Sequence, residues 1–358
     1  MKQCRIGLVG CGHAGLEHLK EMRRVPGIEV AGIADLRREV VVGVGREFGI
    51  KNQFTDYRKM LSNIPLDGLA VITSADAHFP VADYALAHGL HVLCEKPLTV
   101  EPADSRRLVA QARRNDRILA VTFTYRFVPD TRAIKEWIDA GRIGRVVEMR
   151  FTSLNGKFAK YPAGSDLRRT FDTIYSGVKG IIFDCGVHAF DLLCWYAGSR
   201  VKRVDARAAC HLGYHYPDSA TAIMEFENGI KAVYDYGKLP YYEPDMPSNT
   251  LFMIVITGLK GSIVWHFGGR GGPRRKTVLR LYTARGTAER LFPIYSKERS
   301  LQYRQFAAGI RKGRLTGFFP SPEEASYATE LTDRVVEEGM RNLISPAAGS
   351  PAGTVTRG

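Results

Sequence analysis

Short β-rich apolar runs alternate with longer stretches of helical period along the first third of the chain. The runs are Arg5 to Val9, Ile28 to Ile33, Gly68 to Thr73, His91 to Cys94 and Ile118 to Phe123, and helical patterns such as Phe79 to His88 and Pro102 to Asn115 fill the intervals. Strands separated by helices predict a parallel, doubly wound α/β sheet. The pairs Pro26-Gly27, Asp67-Gly68 and His88-Gly89 mark turns between these elements, and a further helix, Pro129 to Ala140, is closed by Gly141 and Gly144.

The texture then changes. Val146 to Leu154, Val201 to His211, Ala220 to Glu227, Ile230 to Tyr236, Leu251 to Ile256, Ser262 to His266 and Thr277 to Tyr282 read as strands, with Glu227-Asn228-Gly229-Ile230 as a hairpin turn. Strands in series with short turns predict an α+β domain with an open, largely antiparallel sheet. One helix interrupts it, Cys185 to Ala197, and two follow, Arg299 to Lys312 and Ser321 to Asn342. The expected division is 1–124, 125–344, and a disordered tail 345–358 rich in Pro, Ala, Gly, Ser and Thr.

At 358 residues and 45% hydrophobic content the chain has the material for two such domains. No apolar stretch approaches the roughly 18 residues that cross a bilayer. The first strand begins so early that no signal peptide is expected, which points to the cytoplasm. Six cysteines without CxxC spacing suggest neither a disulfide frame nor a metal site. The net charge of +14 is concentrated: Gly268 to Arg314 holds 13 basic and two acidic residues, +11 in all, and leaves +3 for the rest. Without aromatic interleaving or a nucleic-acid motif, this segment reads as solvated surface, with steering of an anionic substrate as the other reading.

Chemistry enters at Gly10-Cys11-Gly12-His13-Ala14-Gly15, which follows the first strand and opens a helix, Glu17 to Arg24. Gly10 permits the tight turn, Gly12 lets backbone approach a pyrophosphate, and Gly15 lets the helix pack on the strand. Asp35 closes the second strand twenty residues after Gly15 and is placed to accept both ribose hydroxyls, which favours NAD over NADP. Arg37 and Arg38 beside it are the complication, because a guanidinium there could neutralise a 2′-phosphate.

Two further constellations lie at strand and helix ends. Glu95-Lys96-Pro97 ends the fourth strand on the ligand-binding edge of the sheet, where a lysine can stabilise a developing alkoxide, and the bond before Pro97 is a candidate for cis. On a helix, Asp184, His188 and Asp191 share one face at i, i+4 and i+7, beside an apolar face of Phe183, Val187, Phe190 and Cys194. An imidazole oriented by a carboxylate suits proton abstraction near neutral pH. The alternative makes Asp184 a helix N-cap and His188 a satisfied core residue.

In this order and spacing, Gly10-x-Gly12-x-x-Gly15, Glu95-Lys96-Pro97 and Asp184-x-x-x-His188 resemble the glucose-fructose oxidoreductase and inositol 2-dehydrogenase family, often called Gfo/Idh/MocA. The resemblance extends over Thr73 to His78, Tyr125-Arg126-Phe127-x-Pro129 and Asp218 to Gly229. It implies an NAD(P)-dependent oxidoreductase of sugars, sugar derivatives or cyclitols, with a Rossmann domain and a homodimer or homotetramer built partly through the second sheet. By position it implies His188 as general base, with Lys96 and Asp184 holding the reacting hydroxyl and its neighbour. It further implies Gly10, Gly12, His13, Ala14, Gly15, Asp35, Arg37, Thr73, Ser74, His78, Glu95, Lys96 and Thr124 around the cofactor, and Arg126, Asn155 and Lys179 near the substrate. The family often has asparagine where Thr124 stands, and a glycine run where this chain has Gly177-Val178-Lys179-Gly180. An NAD-dependent glycosidase and a cofactor-sensing regulator are the competing functions on this fold, and a nucleic-acid binder is the third.

Overall fold

The apolar run ahead of the glycines forms β1, Cys4–Val9, with Ile6 and Leu8 fully enclosed. The computed structural model describes residues 3–155, 179–212, 214–238, 250–267, 276–293 and 299–344. After β1 come α1 (His13–Arg23), β2 (Ile28–Ala34), α2 (Arg38–Phe48), β3 (Gln53–Phe54), α3 (Tyr57–Asn63), β4 (Gly68–Val71), α4 (His78–Ala87), β5 (His91–Cys94), α5 (Pro102–Arg114) and β6 (Leu119–Val121). The six strands are all parallel, in the order β3-β2-β1-β4-β5-β6. Strand order reverses between β1 and β4, and the carboxyl ends of strands at such a point are where open α/β sheets take ligands. Every residue of β4 is buried, as expected of a strand covered on both faces. α1 buries Gly15, His18, Leu19 and Met22, a single helical stripe.

The second unit begins at Val128 and contains α6 (Pro129–Asp139), β7 (Val146–Asn155), α7 (Ile181–Ala197), β8 (Val201–Ala209), β9 (Ser219–Phe226), β10 (Lys231–Gly237), β11 (Thr250–Gly258), β12 (Gly261–His266), β13 (Lys276–Thr283), β14 (Gly286–Pro293) and β15 (Leu343–Ile344). These strands form one sheet in the order β14-β13-β12-β11-β7-β10-β9-β8-β15. Only β7–β10 and β8–β15 run parallel among its described pairings; the rest are antiparallel. Burial alternates along the strands: Ala222, Met224, Ala232 and Tyr234 are enclosed, while Thr221, Ile223 and Glu225 are exposed. α7 packs on the enclosed face, where Phe190 meets Tyr234 with ring centroids 4.7 Å apart. α6 is pinned to the same sheet by Trp265, whose Nε1 donates to Asp130 Oδ2 at 2.9 Å.

After β14 the chain returns to the first unit with α8 (Arg299–Lys312), and α9 (Pro322–Arg341) follows; residues through Glu330 belong to the first unit and those from Leu331 to the second. Tyr303, Phe306 and Ala307 of α8 are completely buried in the core that holds Leu19, Met22, Ile118 and Ala120. These contacts divide the chain differently from the contiguous split at residue 124, because periodicity marks an apolar face and not the core that receives it. β14 escapes the sequence reading for a related reason. It is an edge strand with seven exposed residues and one half-buried, so it carries no alternation. The Val-Val-Val and two glycines of α2 likewise hide a helix that buries Val41 and Val44.

Two expectations about α7 are corrected. The helix starts at Ile181 with Gly180 as N-cap, which places Asp184 in the first turn and removes the N-cap alternative. Asp191 is buried, unlike Asp184 and His188, so the polar stripe does not share one environment. All six cysteines are free thiols. Described cations of the basic segment pair on the surface, Arg280 with Glu289 at 2.7 Å and Arg290 with Glu136 at 3.5 Å. Residues 270, 274, 275 and 297 of that segment, and the expected tail 345–358, lie outside the described residues. Among the described residues no helix is long and apolar enough to cross a membrane.

Phe306→Ala should cost about 3–5 kcal/mol, the range for emptying a well-packed aromatic site. Urea unfolding checks it, and a loss under about 1 kcal/mol would remove α8 from the core of the first unit.

Candidate functional site

The three glycines differ in what demands them. Gly10 has φ of 97° and an added Cβ would lie 2.2 Å from Ile72 O, while a Cβ on Gly15 would lie 2.0 Å from Gly10 O. Both are imposed by the protein's own backbone. Gly12 is different: its φ is −70° and an added Cβ would meet only Arg37 Nη2, at 3.8 Å. Nothing in the chain requires a glycine there, so the bare surface serves something that approaches from outside. α1 starts at this point with no side-chain cap and no acid in its first turn. His13 and Ala14 are exposed on it and Gly15 is buried. An uncapped helix N-terminus with unobstructed backbone fits a pyrophosphate.

Asp35 stands at the end of β2 with its carboxylate enclosed and met by donors from Cys11 and from the exposed Arg37 side chain. Cys11 N–H donates to Oδ2 at 2.8 Å, Arg37 N–H and Nε donate to Oδ1 at 3.0 Å each, and Arg37 Nη2 reaches Oδ2 at 3.3 Å. Burial opposes the charge, but the Arg37 and Cys11 hydrogen bonds hold the carboxyl below its ordinary range. Asp35 is therefore an anion, and Arg37 is its clamp while Arg38 is merely exposed. Cys11 fills space: it is 1% exposed and burial pushes its thiol up to about 12, which leaves it unreactive.

The next two loops are braced by histidines. His78 is buried, with Nδ1 2.8 Å from Pro97 O and Nε2 3.3 Å from Thr73 O. Burial drives its pKa down, so the ring is neutral and donates through Nδ1 at the shorter contact. Its hydrogen bond holds the loop after β5, and the Thr73-Ser74 loop after β4 lies against the other side of the ring. There the Lys96-Pro97 bond is cis, and Lys96 is half-buried with its N–H on Glu95 Oε2 at 2.9 Å. The other carboxylate oxygen of Glu95 meets His18 Nε2 at 2.8 Å, and His18 Nδ1 lies 2.6 Å from Tyr303 Oη. His18 and Tyr303 were not among the expected residues. The one signal in the sequence is a histidine on the apolar stripe of α1; its partners are 77 and 285 residues away.

Other expected residues have stated partners. Thr124 opens a 3-10 turn and its N–H donates to Thr122 O at 2.8 Å. Arg126, in the same turn, is buried with Nη1 3.7 Å from Glu324 Oε2. In the second unit, Asp184 and His188 are half-buried on α7, and Cys185 Sγ lies 3.7 Å from Asp184 Oδ2. Gly186 lets α7 sit close to β10, since a Cβ there would be 3.0 Å from Tyr234 Oη. Two left-handed residues lead into α7, Lys179 at φ 57° and Gly180 at φ 93°. Lys179 Nζ binds Asp333 Oδ1 at 2.7 Å. Asn155 ends β7 opposite Thr250.

Comparison with known proteins agrees with this architecture. Residues 4–123 match the oxidoreductase family with an NAD-binding Rossmann fold, and residues 131–264 match the GFO/IDH/MocA C-terminal domain. The chain is 26% identical over 265 residues to myo-inositol 2-dehydrogenase of Thermotoga maritima, 72% of this chain and 74% of that protein. It is 25% identical over 323 residues to scyllo-inositol 2-dehydrogenase (NAD(+)) of Bacillus subtilis, 87% of each. A solved levoglucosan dehydrogenase, in complex with NADH and L-sorbose, shares the fold with a TM-score of 0.80 at 22% identity, covering 96% of this chain and 98% of that one.

Gly12→Ala should fold with wild-type thermal stability yet lose most NAD binding in calorimetric titration, because its Cβ meets the ligand and not the protein. Gly10→Ala should unfold at lower temperature. Equal NAD affinity in Gly12→Ala and wild type would displace the phosphates from this loop.

Proposed function

Because the chain belongs to the Gfo/Idh/MocA oxidoreductase family, with its NAD-binding Rossmann fold, we propose that it is an NAD-linked dehydrogenase or ketoreductase for a secondary alcohol of a sugar, sugar derivative or cyclitol. The bare surface at Gly12 carries this reading, supported by the anionic Asp35 at the end of β2. The first-turn N–H groups of α1 would hold the pyrophosphate, and Asp35 would receive the ribose hydroxyls. A 2′-phosphate would add negative charge beside that carboxylate, so NAD is preferred; the clamp from Arg37 makes the preference one of degree.

A bound nicotinamide would supply the hydride acceptor for the alcohol carbon. His188 takes the hydroxyl proton, with Asp184 one helical turn before it orienting the imidazole and the substrate. Lys96 donates a hydrogen bond to the same oxygen and holds the negative charge that develops there. Asn155 contacts a further hydroxyl. Arg126 and Lys179 are the remaining candidates near the substrate, and their cations face Glu324 and Asp333. Proteins similar to this one bear the names of inositol dehydrogenases, which supports a polyol substrate. A homodimer or homotetramer in the cytoplasm completes the reading, supported by exposed apolar groups such as Ile223 and Tyr282 on the sheet of the second unit.

The deciding experiment is a panel of sugars, cyclitols, sugar phosphates and nucleotide sugars, scored by NADH absorbance. At least one neutral polyol should produce NADH, and His188→Ala should lose about two to four orders of magnitude in kcat while its Kd for NAD stays unchanged. Net hydrolysis without NADH would instead indicate a glycosidase, and wild-type turnover in His188→Ala would remove that histidine from the mechanism.

Cofactor choice has its own test. Asp35→Ala should raise the ratio of NADP to NAD activity in kcat/KM by about tenfold or more, as an anion beside the 2′ position is removed. If wild-type enzyme already prefers NADP, Arg37 rather than Asp35 decides.

A further inference from the structure

A chain of two buried side chains and one half-buried carboxylate links α8, α1 and the end of β5 inside the first unit. Tyr303 and His18 are both fully buried, and their rings meet edge-on at 5.8 Å. Tyr303 Oη is 2.6 Å from His18 Nδ1, His18 Nε2 is 2.8 Å from Glu95 Oε1, and Glu95 Oε2 accepts the Lys96 N–H at 2.9 Å. Burial raises the Tyr303 hydroxyl well above its ordinary value, so it keeps its proton. Burial also opposes the Glu95 charge, but His18 and Lys96 hold that carboxyl far below its ordinary range, so it is anionic. One arrangement then gives every atom a partner. Tyr303 O–H donates to His18 Nδ1, and His18 Nε2–H donates to Glu95.

This chain is more than a core polar contact. A largely enclosed anion one residue from an ammonium group favours the charged form of that group. Its orientation is set by a ring that can turn neither way without losing a hydrogen bond at one end. We propose that His18 and Tyr303 are positioning residues for Lys96: they lock the Glu95 carboxylate so that it fixes the Lys96 backbone and keeps the Lys96 ammonium protonated. The inference deepens the dehydrogenase reading, in which Lys96 must remain a hydrogen-bond donor to the alcohol oxygen. Other titratable groups around the chain are His78 and Cys94 near Glu95, and Arg299 and Glu21 near Tyr303. None of them bridges Glu95 to α8.

The test reads Lys96 directly and needs no substrate. Competitive labelling with acetic anhydride across pH, quantified at the Lys96 peptide by mass spectrometry, gives the pH of half-labelling. In Glu95→Gln that pH should fall by about one unit, a tenfold rise in free amine at fixed pH, because the counter-charge is gone. Tyr303→Phe, which removes one oxygen, and His18→Gln should move it the same way by a smaller step. With the alcohol identified from the panel, both should lower kcat by about tenfold and leave the KM for NAD unchanged. Thermal unfolding checks that each variant is folded; if His18→Gln is not, Tyr303→Phe carries the test. Half-labelling pH and kcat both at wild-type values in folded Tyr303→Phe would overturn the proposal. A shifted half-labelling pH in a protein that oxidises no alcohol would uphold the positioning chain and overturn the dehydrogenase reading alone.

Discussion

The first unit depends on one close approach, the backbone of α1 against the end of β1. It is possible only because Gly15 has no Cβ, which would lie 2.0 Å from Gly10 O, and the strand end is itself seated by Gly10, whose Cβ would lie 2.2 Å from Ile72 O after β4. This contact sets the axis of α1, and the rest of the cofactor side follows from that axis. The uncapped N-terminus comes to the carboxyl edge of the sheet, and Gly12 is left bare beside it. One turn later the same helix buries His18 at a depth where its ring spans from Glu95 at the end of β5 to Tyr303 on α8. A side chain on residue 15 would lift the helix and break both ends of that span.

Burying two carboxylates in such a unit would be costly without compensation. Asp35 and Glu95 are each met by a backbone N–H, from Cys11 and Lys96, and by a side chain, Arg37 and His18. Both anions sit just past the ends of strands, where the N–H groups of Cys11 and Lys96 point to a carboxylate instead of a neighbouring strand. The geometry that creates the ligand crevice of a parallel sheet thus also supplies the donors that keep these acids charged. His78 performs the complementary task as a neutral group, with the loops after β4 and β5 on its two sides.

What could be read from the chain divides along these lines. The doubly wound unit was legible because its strands are covered on both faces and appear as unbroken apolar runs, and the glycine loop because its spacing has a mechanical cause. Alternation in β9 and β10 made the second sheet legible as well. Hidden from the sequence were features that depend on the partner rather than the segment. Tyr303 and Phe306 look like any amphipathic face until the core that receives them is known, and β14 has no buried face at all. The partner of Lys179 was hidden as well, because Asp333 lies 154 residues on.

The start of α7 shows why a local motif can be right in its residues and wrong in its frame. Asp184 as an N-cap is the natural reading when a helix is sought from the first polar residue before an apolar run. Here the left-handed pair Lys179-Gly180 turns the chain into the helix, and a side chain on Gly180 would lie 2.7 Å from Tyr216 Cβ. With the helix already begun at Ile181, Asp184 has no capping duty, and it stands one turn ahead of His188. In that frame the acid at the fourth position of the helix, rather than the cap, is the one that can orient an imidazole four residues on.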